Sequence, residues 1–306
     1  MNIHVDSFLP EEKKKRKIDM YVVYDKKSDW EVDYIRNDIL HGITHTFLPL
    51  SREELETVEI DHPEVVRTCI LVFSSNNYQF KDVLRIVKAI KPNVILHLSD
   101  EQGRKEVFGA LAKHTKLYVR NYNYTHYNLA QYTNVLQFPL GYTSGYISGQ
   151  YSLDILPKPL HERQNKWAFV GKLKQDRQKM LRVFQRNMAP YDCRTDGNVS
   201  PQDMFQIYNN SVFVPCGRGN MRLECFRLYE VVIAGAIPVV VGTTEEIAET
   251  FLYNPPFLFA TSWEEAEKRC RQLLDSDELK KLHEAMLIWW KSCIEGIQAN
   301  IRKVVQ

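Results

Sequence analysis

The segment from residue 211 to residue 242 constrains the fold more than any other part of the sequence. It reads SVFVPCGRGNMRLECFRLYEVVIAGAIPVVVG. A β-branched run ends at a proline, a loop with two glycines follows, and apolar residues then recur at helical spacing up to Ala234-Gly235. The continuous apolar run at 238–241 is typical of a buried parallel strand. The segment therefore predicts one β-α-β unit, whose loop lies where open α/β sheets bind ligands.

The loop and the helix that follows it carry charges suited to an anionic ligand. Arg218 and Arg222 flank the predicted helix N-terminus, where free N–H groups and the helix dipole favour an anion. Glu224 and Glu230 follow within two turns, and a carboxylate there can accept hydrogen bonds from ribose hydroxyls. These residues indicate a nucleoside diphosphate site. The alternative is a solvated helix on which Arg227 and Glu230 form an i,i+3 ion pair worth roughly a few tenths of a kcal/mol.

The same segment resembles the nucleotide-sugar signature of the exostosin-like glycosyltransferases. The matching motifs are Phe-Arg-Leu-Tyr-Glu at 226–230, Ala-Gly at 234–235 and Ile-Pro-Val at 237–239. Phe-Val-Gly at 169–171, followed by Arg177, matches the family's opening of the same domain. The resemblance covers about residues 167–262. It implies a two-domain fold, inverting chemistry and a UDP-sugar donor.

Strands and helices alternate along the rest of the chain, which predicts an α/β protein with parallel sheets. Apolar runs predict strands at 18–24, 45–50, 68–73, 93–98, 117–119, 135–138 and 166–170. We expect two Rossmann-like domains facing a cleft, the GT-B architecture, with a C-terminal helix that crosses back to the first domain. The expected units are an acceptor domain at 1–150, a nucleotide-sugar domain at 151–280 and the returning helix at 281–306.

Composition limits the classes of partner. The chain has 306 residues, 44% of them hydrophobic and 25% charged, which is typical of a globular protein. A net charge of +2 gives no overall field for coating nucleic acid or an anionic membrane. No apolar run approaches the ~18 residues that span a bilayer, and the N-terminus lacks a secretory apolar segment. We therefore expect a cytoplasmic protein, or one in the Golgi lumen if the sequence is part of a longer chain.

An inverting transferase needs a clamp for the nucleotide diphosphate, because charge develops on that leaving group. The residues expected to bind the nucleotide-sugar are Gly171, Lys172, Arg177, Arg218, Gly219, Arg222, Glu224, Arg227 and Glu230. Cations and a helix N-terminus can supply this role without a metal. One Asp-x-Asp motif exists, at 275–277, but it precedes a helical run and is interpreted as a helix cap. We therefore expect no metal and no other cofactor.

The acceptor hydroxyl needs a base on the first domain, opposite the nucleotide. Asp100 is our first candidate, because it follows a buried strand at the edge where open sheets present functional groups. Asp25 and Asp29 are the alternatives, after the first strand. The aromatic and basic run at 118–127 supplies acceptor-binding candidates, since aromatic faces stack on sugar rings. They are Arg120, Tyr122, Tyr124 and His126.

The leading hypothesis is an inverting glycosyltransferase that moves a sugar from a UDP-sugar to a hydroxyl of a glycan. Xylose is the first candidate for that sugar. A second hypothesis is a catalytically inert nucleotide-sugar-binding module of a glycosylation complex, with the same donor motif and no working base. A nicotinamide-dependent dehydrogenase is disfavoured, because no predicted strand is followed by G-x-G-x-x-G.

Overall fold

The first half of the chain forms a six-stranded parallel sheet. The computed structural model describes residues 20–98, 101, 106–122, 131–251 and 254–305. The strands of the first sheet are β1 (Met20–Asp25), β2 (His45–Leu50), β3 (Cys69–Ser74), β4 (Val94–Leu98), β5 (Leu117–Arg120) and β6 (Val135–Gln137). Their order is β2-β1-β3-β4-β5-β6, and every pairing is parallel. All residues of β3 and β4 are buried, as their continuous apolar sequences predict.

Helices cover both faces of this sheet. They are α1 (Val32–Tyr34), which continues as a π-helical turn (Ile35–Ile39), α2 (Arg52–Glu56), α3 (Val58–Asp61) and α4 (Phe80–Ile90). A 3-10 stretch, Glu106–His114, follows β4. A capping box begins α2: the Ser51 side chain accepts a hydrogen bond from the Glu54 backbone amide, and the Glu54 carboxylate accepts one from the Ser51 backbone amide.

The connection after β1 forms a turn before the first helix begins. The Asp25 carboxylate accepts hydrogen bonds from the Lys27 amide at 3.0 Å and the Ser28 hydroxyl at 2.8 Å. These contacts stabilise a turn, since serine and aspartate side chains compete with helical backbone bonds. The helix consequently begins at Val32.

The second half of the chain forms a five-stranded parallel sheet. Its strands are β7 (Asn165–Val170), β8 (Tyr191–Arg194), β9 (Ser211–Pro215), β10 (Ile237–Val241) and β11 (Leu258–Ala260). Its helices are α5 (Arg177–Asn187), α6 (Pro201–Asn209), α7 (Phe226–Ile233), α8 (Thr244–Thr250), α9 (Trp263–Leu274) and α10 (Glu278–Val305). The strand order is β11-β10-β9-β7-β8, so the order reverses between β7 and β9.

The β9–α7–β10 unit matches the prediction from the sequence except at the start of its helix. Helix α7 begins at Phe226, and Cys225 before it is extended with φ −155°. Glu224 therefore precedes the helix and is not part of its first turns. Gly235 ends the helix with φ +70°, and a Cβ atom there would lie 2.3 Å from Pro157. The predicted C′ glycine is thus confirmed by its backbone conformation. It also lets Pro157 approach, in the linker at 138–164 that joins the two sheets.

The long helix α10 returns to the first domain. Its Trp290 ring stacks on Tyr34 with centroids 6.3 Å apart and donates from Nε1 to the Ser152 hydroxyl at 3.0 Å. Further along, Gln298 Nε2 donates to the Asp38 carbonyl at 2.7 Å. One hydrophobic core therefore runs from the first sheet through α10 to α7 of the second. Two Rossmann-like domains and a returning helix make the GT-B architecture, as expected. None of the helices in the described ranges is long and apolar enough to cross a membrane.

Asp38 lies where the first domain, the linker and α10 meet. Its side chain is fully buried, and Oδ1 accepts a hydrogen bond from the Ser152 amide at 2.8 Å. Burial raises the pKa of Asp38 to about 7, against smaller opposing effects of hydrogen bonds from Ser152 and Tyr142. The folded protein therefore keeps this proton over a pH range in which the unfolded chain has released it.

We expect Asp38→Asn to make folding stability less dependent on pH. In the wild type the free energy of unfolding should fall as pH rises from about 4 to about 7, because the folded state binds the extra proton. Asparagine keeps an oxygen acceptor for Ser152 and carries no charge. Above pH 7 the free energy of unfolding of the variant should exceed that of the wild type by on the order of 1–4 kcal/mol. At pH 4 the two free energies should be nearly equal.

Urea unfolding between pH 4 and pH 8 measures this difference. Asp154→Asn, at an exposed position on the same linker, is the matched control and should follow the wild type. If the difference in free energy of unfolding between Asp38→Asn and the wild type does not change with pH, the raised pKa of Asp38 is contradicted.

Candidate functional site

A cavity of about 420 Å³ lies between the two domains, at the carboxyl end of the second sheet. Open parallel sheets bind ligands where the strand order reverses, which here is between β7 and β9. The loops that leave these two strands form one wall. The described lining residues of the first domain and linker are Glu101, Tyr122 and Thr143. Those of the second domain are Val170, Gly171, Lys172, Lys174, Arg177, Gly197, Val199, Met204, Gly219, Asn220, Cys225, Phe226, Arg227 and Glu230.

Six of the nine residues predicted to bind the nucleotide-sugar line this cavity. They are Gly171, Lys172, Arg177, Gly219, Arg227 and Glu230. They come from positions that are up to about sixty residues apart in sequence, and the reversal of strand order brings them together. The structure therefore groups most of the predicted nucleotide residues around a single space.

Arg177 joins the two loops of this wall. It is the first residue of α5, and its buried guanidinium donates from Nη1 to the Lys172 carbonyl at 2.9 Å and from Nη2 to the Arg218 carbonyl at 2.8 Å. Gly217 lets it approach, since a Cβ atom there would lie 2.7 Å from the Arg177 Cγ. Burial, and secondarily the nearby Arg227, lower the pKa of Arg177 from its ordinary value. An anion in the cavity would offset both effects.

Arg227 fixes the end of β7 against α7. Its Nη2 and Nε donate to the Val170 carbonyl at 2.9 and 3.2 Å, and Nε also lies 3.3 Å from the Tyr208 hydroxyl. The next residue, Gly171, has φ +146°, and a Cβ atom there would lie 2.5 Å from Arg227 Nη2. Glycine at 171 is therefore required for this contact. Arg227 uses its donors to shape the cavity, and it does not form the i,i+3 pair of the alternative interpretation.

Glu230 lines the cavity and contacts the linker directly. Its Oε1 accepts from the Thr143 hydroxyl at 2.8 Å and from the Thr143 amide at 3.3 Å. Its carbonyl accepts from the buried Tyr146 hydroxyl at 2.7 Å. Burial raises the pKa of Glu230, while the hydrogen bonds from Thr143 oppose the shift. A buried carboxylate that already accepts hydroxyl hydrogen bonds is suited to hold a polyol.

Three predicted nucleotide residues lie outside the described lining of the cavity. Arg218 forms a two-pronged ion pair with Glu246 of α8, with N–O distances of 2.8 and 2.7 Å. Arg222 lies on the same loop and is half-buried. Glu224 is buried behind the wall, where it accepts a hydrogen bond from the Tyr229 hydroxyl, and burial raises its pKa to about 7. Arg218 thus supports the loop, and of the two predicted glutamates Glu230 is the one that lines the cavity.

The two alternative candidates for the base, Asp25 and Asp29, do not line the cavity as expected. Asp25 is buried and accepts hydrogen bonds from Lys27, Ser28 and the Asn77 side chain, the last at 3.1 Å. Asp29 is exposed. Neither is among the described residues that line the cavity.

The acceptor candidates divide in the same way. Arg120 is buried at the end of β5 and lies away from the lining, whereas Tyr122 contributes to it and has φ +59°. The remaining predicted residues, Asp100, Tyr124 and His126, lie outside the described residues.

Ten of the described lining residues were not predicted from the sequence, and two of them, Thr143 and Glu101, make contacts over long sequence separations. Thr143 belongs to a linker without periodicity, so no local pattern indicated that it would meet Glu230. Glu101 follows β4, and its carboxylate accepts from the Asn220 side chain at 2.9 Å and the Met221 amide at 3.0 Å. Its position after a buried strand was the signal that could have identified it.

The Asp-x-Asp motif lies between α9 and α10. Asp275 ends α9, and the Ser276 hydroxyl accepts from the Glu278 amide at 3.2 Å at the start of α10. The motif is therefore at a helix start, as predicted, with the capping oxygen supplied by its serine. In the described ranges, no group of three or more His, Cys, Asp or Glu side chains could hold a metal ion.

Comparisons with known proteins find likeness at the level of structure. No protein-family model matches the sequence, and no curated protein matches it. One similar solved structure is HepE from Anabaena in complex with UDP-glucose, at 9% identity and TM-score 0.49, covering 93% of this chain and 98% of that one. Another is a glycosyltransferase from Rickettsia africae, at 10% identity and TM-score 0.49, covering 94% and 98%.

A third is an O-GlcNAc transferase mutant from Thermobaculum terrenum, at 11% identity and TM-score 0.49, covering 93% and 66%. All three TM-scores are below 0.5. The architecture is therefore assigned from the strand order of this chain and the course of α10.

Proposed function

We propose that this chain is a UDP-sugar-dependent glycosyltransferase of the exostosin-like family that transfers a sugar to a hydroxyl of a glycan. One observation carries the proposal. Three of the residues that give the sequence its resemblance to that family, Gly171, Arg177 and Glu230, line one cavity between the two domains. A cleft of this kind brings a donor on one domain to an acceptor on the other.

The diphosphate would bind between the two loops that Arg177 joins. Arg177, Lys172 and Lys174 line this part of the cavity and supply positive charge. Preorganised cations stabilise the charge that develops on a leaving diphosphate and need no reorganisation during the reaction. The apolar residues Val199 and Met204 line the cavity too, and they would suit the flat face of a uracil base.

We expect transfer to persist when divalent ions are removed, because the cations above take the role that a metal has in other transferases. Activity with a UDP-sugar should be similar in EDTA and in added Mn²⁺. A complete loss in EDTA that Mn²⁺ restores would contradict the metal-free proposal.

Glu230 would accept the ribose hydroxyls. A carboxylate that accepts a hydrogen bond from the Thr143 hydroxyl can accept others from a diol at the same edge of the cavity. We therefore expect Glu230→Ala to weaken UDP binding by about 1–3 kcal/mol, the range for a hydrogen bond to a charged group.

Titration calorimetry with UDP measures this loss. Glu284→Ala, at an exposed site on α10, removes the same group far from the cavity and should bind UDP as the wild type does. Unchanged affinity in a folded Glu230→Ala variant would contradict the proposal that Glu230 accepts the ribose hydroxyls.

The base is proposed to be Asp100, on the first domain. In an inverting displacement the acceptor hydroxyl attacks from the face opposite the UDP, so its base must face the nucleotide across the cleft. The neighbouring residue Glu101 lines the cavity, which supports the choice of Asp100 over the other two candidates. Asp25 has both carboxylate oxygens in hydrogen bonds within its own loop, which makes it a weaker candidate.

We expect Asp100→Asn to fold and bind UDP normally, and to lose transfer by about 10²–10⁴-fold, the usual contribution of a positioned base. The substitution keeps the shape of the side chain and removes its proton acceptor. Initial-rate assays on Asp100→Asn, Asp25→Asn and Asp29→Asn compare the three candidates. A normal rate for Asp100→Asn with a loss in either of the others would move the base to the loop after β1.

The donor sugar is proposed to be xylose, and the acceptor a glycan that contacts Tyr122 and the segment after it. A panel of UDP-sugars, with release of UDP as the readout, tests the donor. UDP binding without transfer or hydrolysis of any member would favour the second hypothesis, an inert binding module. The proposed units remain an acceptor domain at 1–150, a nucleotide-sugar domain at 151–280 and the helix at 281–306.

A further inference from the structure

A carboxylate of the first domain, on Glu101, contacts backbone N–H groups of the loop at 216–225, between β9 and α7. The side chain of Glu101 accepts hydrogen bonds from the backbone N–H groups of Asn220 at 2.5 Å and Met221 at 3.0 Å. It also accepts one from Nδ2 of the Asn220 side chain at 2.9 Å. These residues are 119 and 120 positions apart from Glu101 in sequence. The contact therefore links the two domains directly at the cavity.

The link continues across the second domain. Asn220 Oδ1 accepts from Lys174 Nζ at 2.5 Å, and the Asn220 carbonyl accepts from the Gln175 side chain at 2.9 Å. Glu101, Asn220 and Lys174 all line the cavity. Together they form a chain of hydrogen bonds, which we name the 101–220–174 bridge, from the first domain to the loop after β7.

The sequence permits this contact only because residue 219 is glycine. A Cβ atom at Gly219 would lie 2.6 Å from Glu101 Oε1 and 2.8 Å from the Glu224 carbonyl. Any larger residue would push the carboxylate away from the loop or move the loop itself. The close approach of Glu101 is therefore built into the same glycine-containing loop that carries the nucleotide signature.

The chemistry of the contact is that of an anion site. Two consecutive backbone N–H groups and a side-chain amide converge on one carboxylate, and Lys174 adds positive charge at the other side of Asn220. Groups that bind a carboxylate in this way also bind phosphate oxygens. The carboxylate and a diphosphate cannot use the same N–H groups at the same time.

We propose that Glu101 acts as an intramolecular anion that closes the cavity in the absence of donor, and that the diphosphate of the nucleotide displaces it. The inference rests on the proposed function, because it takes the ligand to be a nucleoside diphosphate. The 101–220–174 bridge holds the loop in shape while the site is empty. Binding exchanges Glu101 for phosphate oxygens, and so couples occupation of the donor site to release of the first domain.

Competition of this kind lowers the apparent affinity for the ligand by the fraction of molecules in which the site is open. Removing the competitor should therefore tighten binding. We expect Glu101→Ala to bind UDP about tenfold more tightly than the wild type, as for loss of one competing charged contact. Glu101→Gln, which keeps one acceptor oxygen and loses the charge, should lie between the two.

Titration calorimetry with UDP, and with inorganic pyrophosphate as the minimal probe, measures these affinities. Glu106→Gln is the matched control, since it removes one carboxylate charge from an exposed first-domain position nearby and should leave both affinities unchanged. Equal or weaker UDP binding by Glu101→Ala would overturn the proposal, because it would mean that Glu101 supports the ligand site.

Amide hydrogen exchange provides a readout that needs no ligand. In the ligand-free protein the amides of Asn220 and Met221 should exchange at least about tenfold faster in Glu101→Ala than in the wild type, because they lose their acceptor. Unchanged exchange would overturn the proposed contact. Faster exchange in Glu101→Ala, in a protein whose wild type binds no UDP, would support the 101–220–174 bridge and contradict the proposed function. Failure of the bridge and failure of the proposed function therefore give different results.

Discussion

Two guanidinium groups, the buried one of Arg177 and the half-buried one of Arg227, determine the shape of the cavity between the domains. Arg177 donates to the carbonyls of Lys172 and Arg218, and Arg227 donates to the carbonyl of Val170. Each ties a loop at the carboxyl end of the second sheet to a neighbouring element. Buried charged donors are costly to leave without partners, so these contacts hold the loops in one arrangement. The positions of the other cavity residues depend on that arrangement.

The second determinant is the packing of α10 on both domains. Trp290 contacts Tyr34 of the first domain and Tyr229 of the second, with centroids 6.3 and 5.9 Å apart. Aromatic contacts of this size bury a large apolar area and restrict the relative position of the elements they join. The two domains thus contact each other through α10 and the linker, and again through the hydrogen bonds between Glu101 and the loop at 220–221.

Most of the fold follows from local patterns in the sequence, and the exceptions have physical reasons. Central strands such as β3 and β4 are continuous apolar runs, and the β9–α7–β10 unit carries its own stop signals. Strand β8 was not predicted, because this edge strand is short and half-exposed, and has no apolar run. Helix α1 begins only at Val32, because the Asp25 and Ser28 side chains form a hydrogen-bonded turn directly after β1.

The candidate site was predictable in its residue types and less so in their roles. Arg218 has the charge and position of a ligand, but Glu246, 28 residues later, forms an ion pair with it. Thr143 meets Glu230 across 87 residues, and Glu101 meets Asn220 across 119. Local sequence patterns carry no information on pairings at such separations. The resemblance to a known signature identified residues on the second-domain wall of the cavity and gave little guidance on the first-domain and linker residues that line it.

A crystal structure of the chain with UDP bound, prepared in EDTA, tests the central claim most directly. We expect the diphosphate between the loops at 171–174 and 217–221 beside Arg177, with the ribose hydroxyls on Glu230. UDP bound outside this cavity, or bound in it without contact to Arg177 and Glu230, would contradict the proposed donor site.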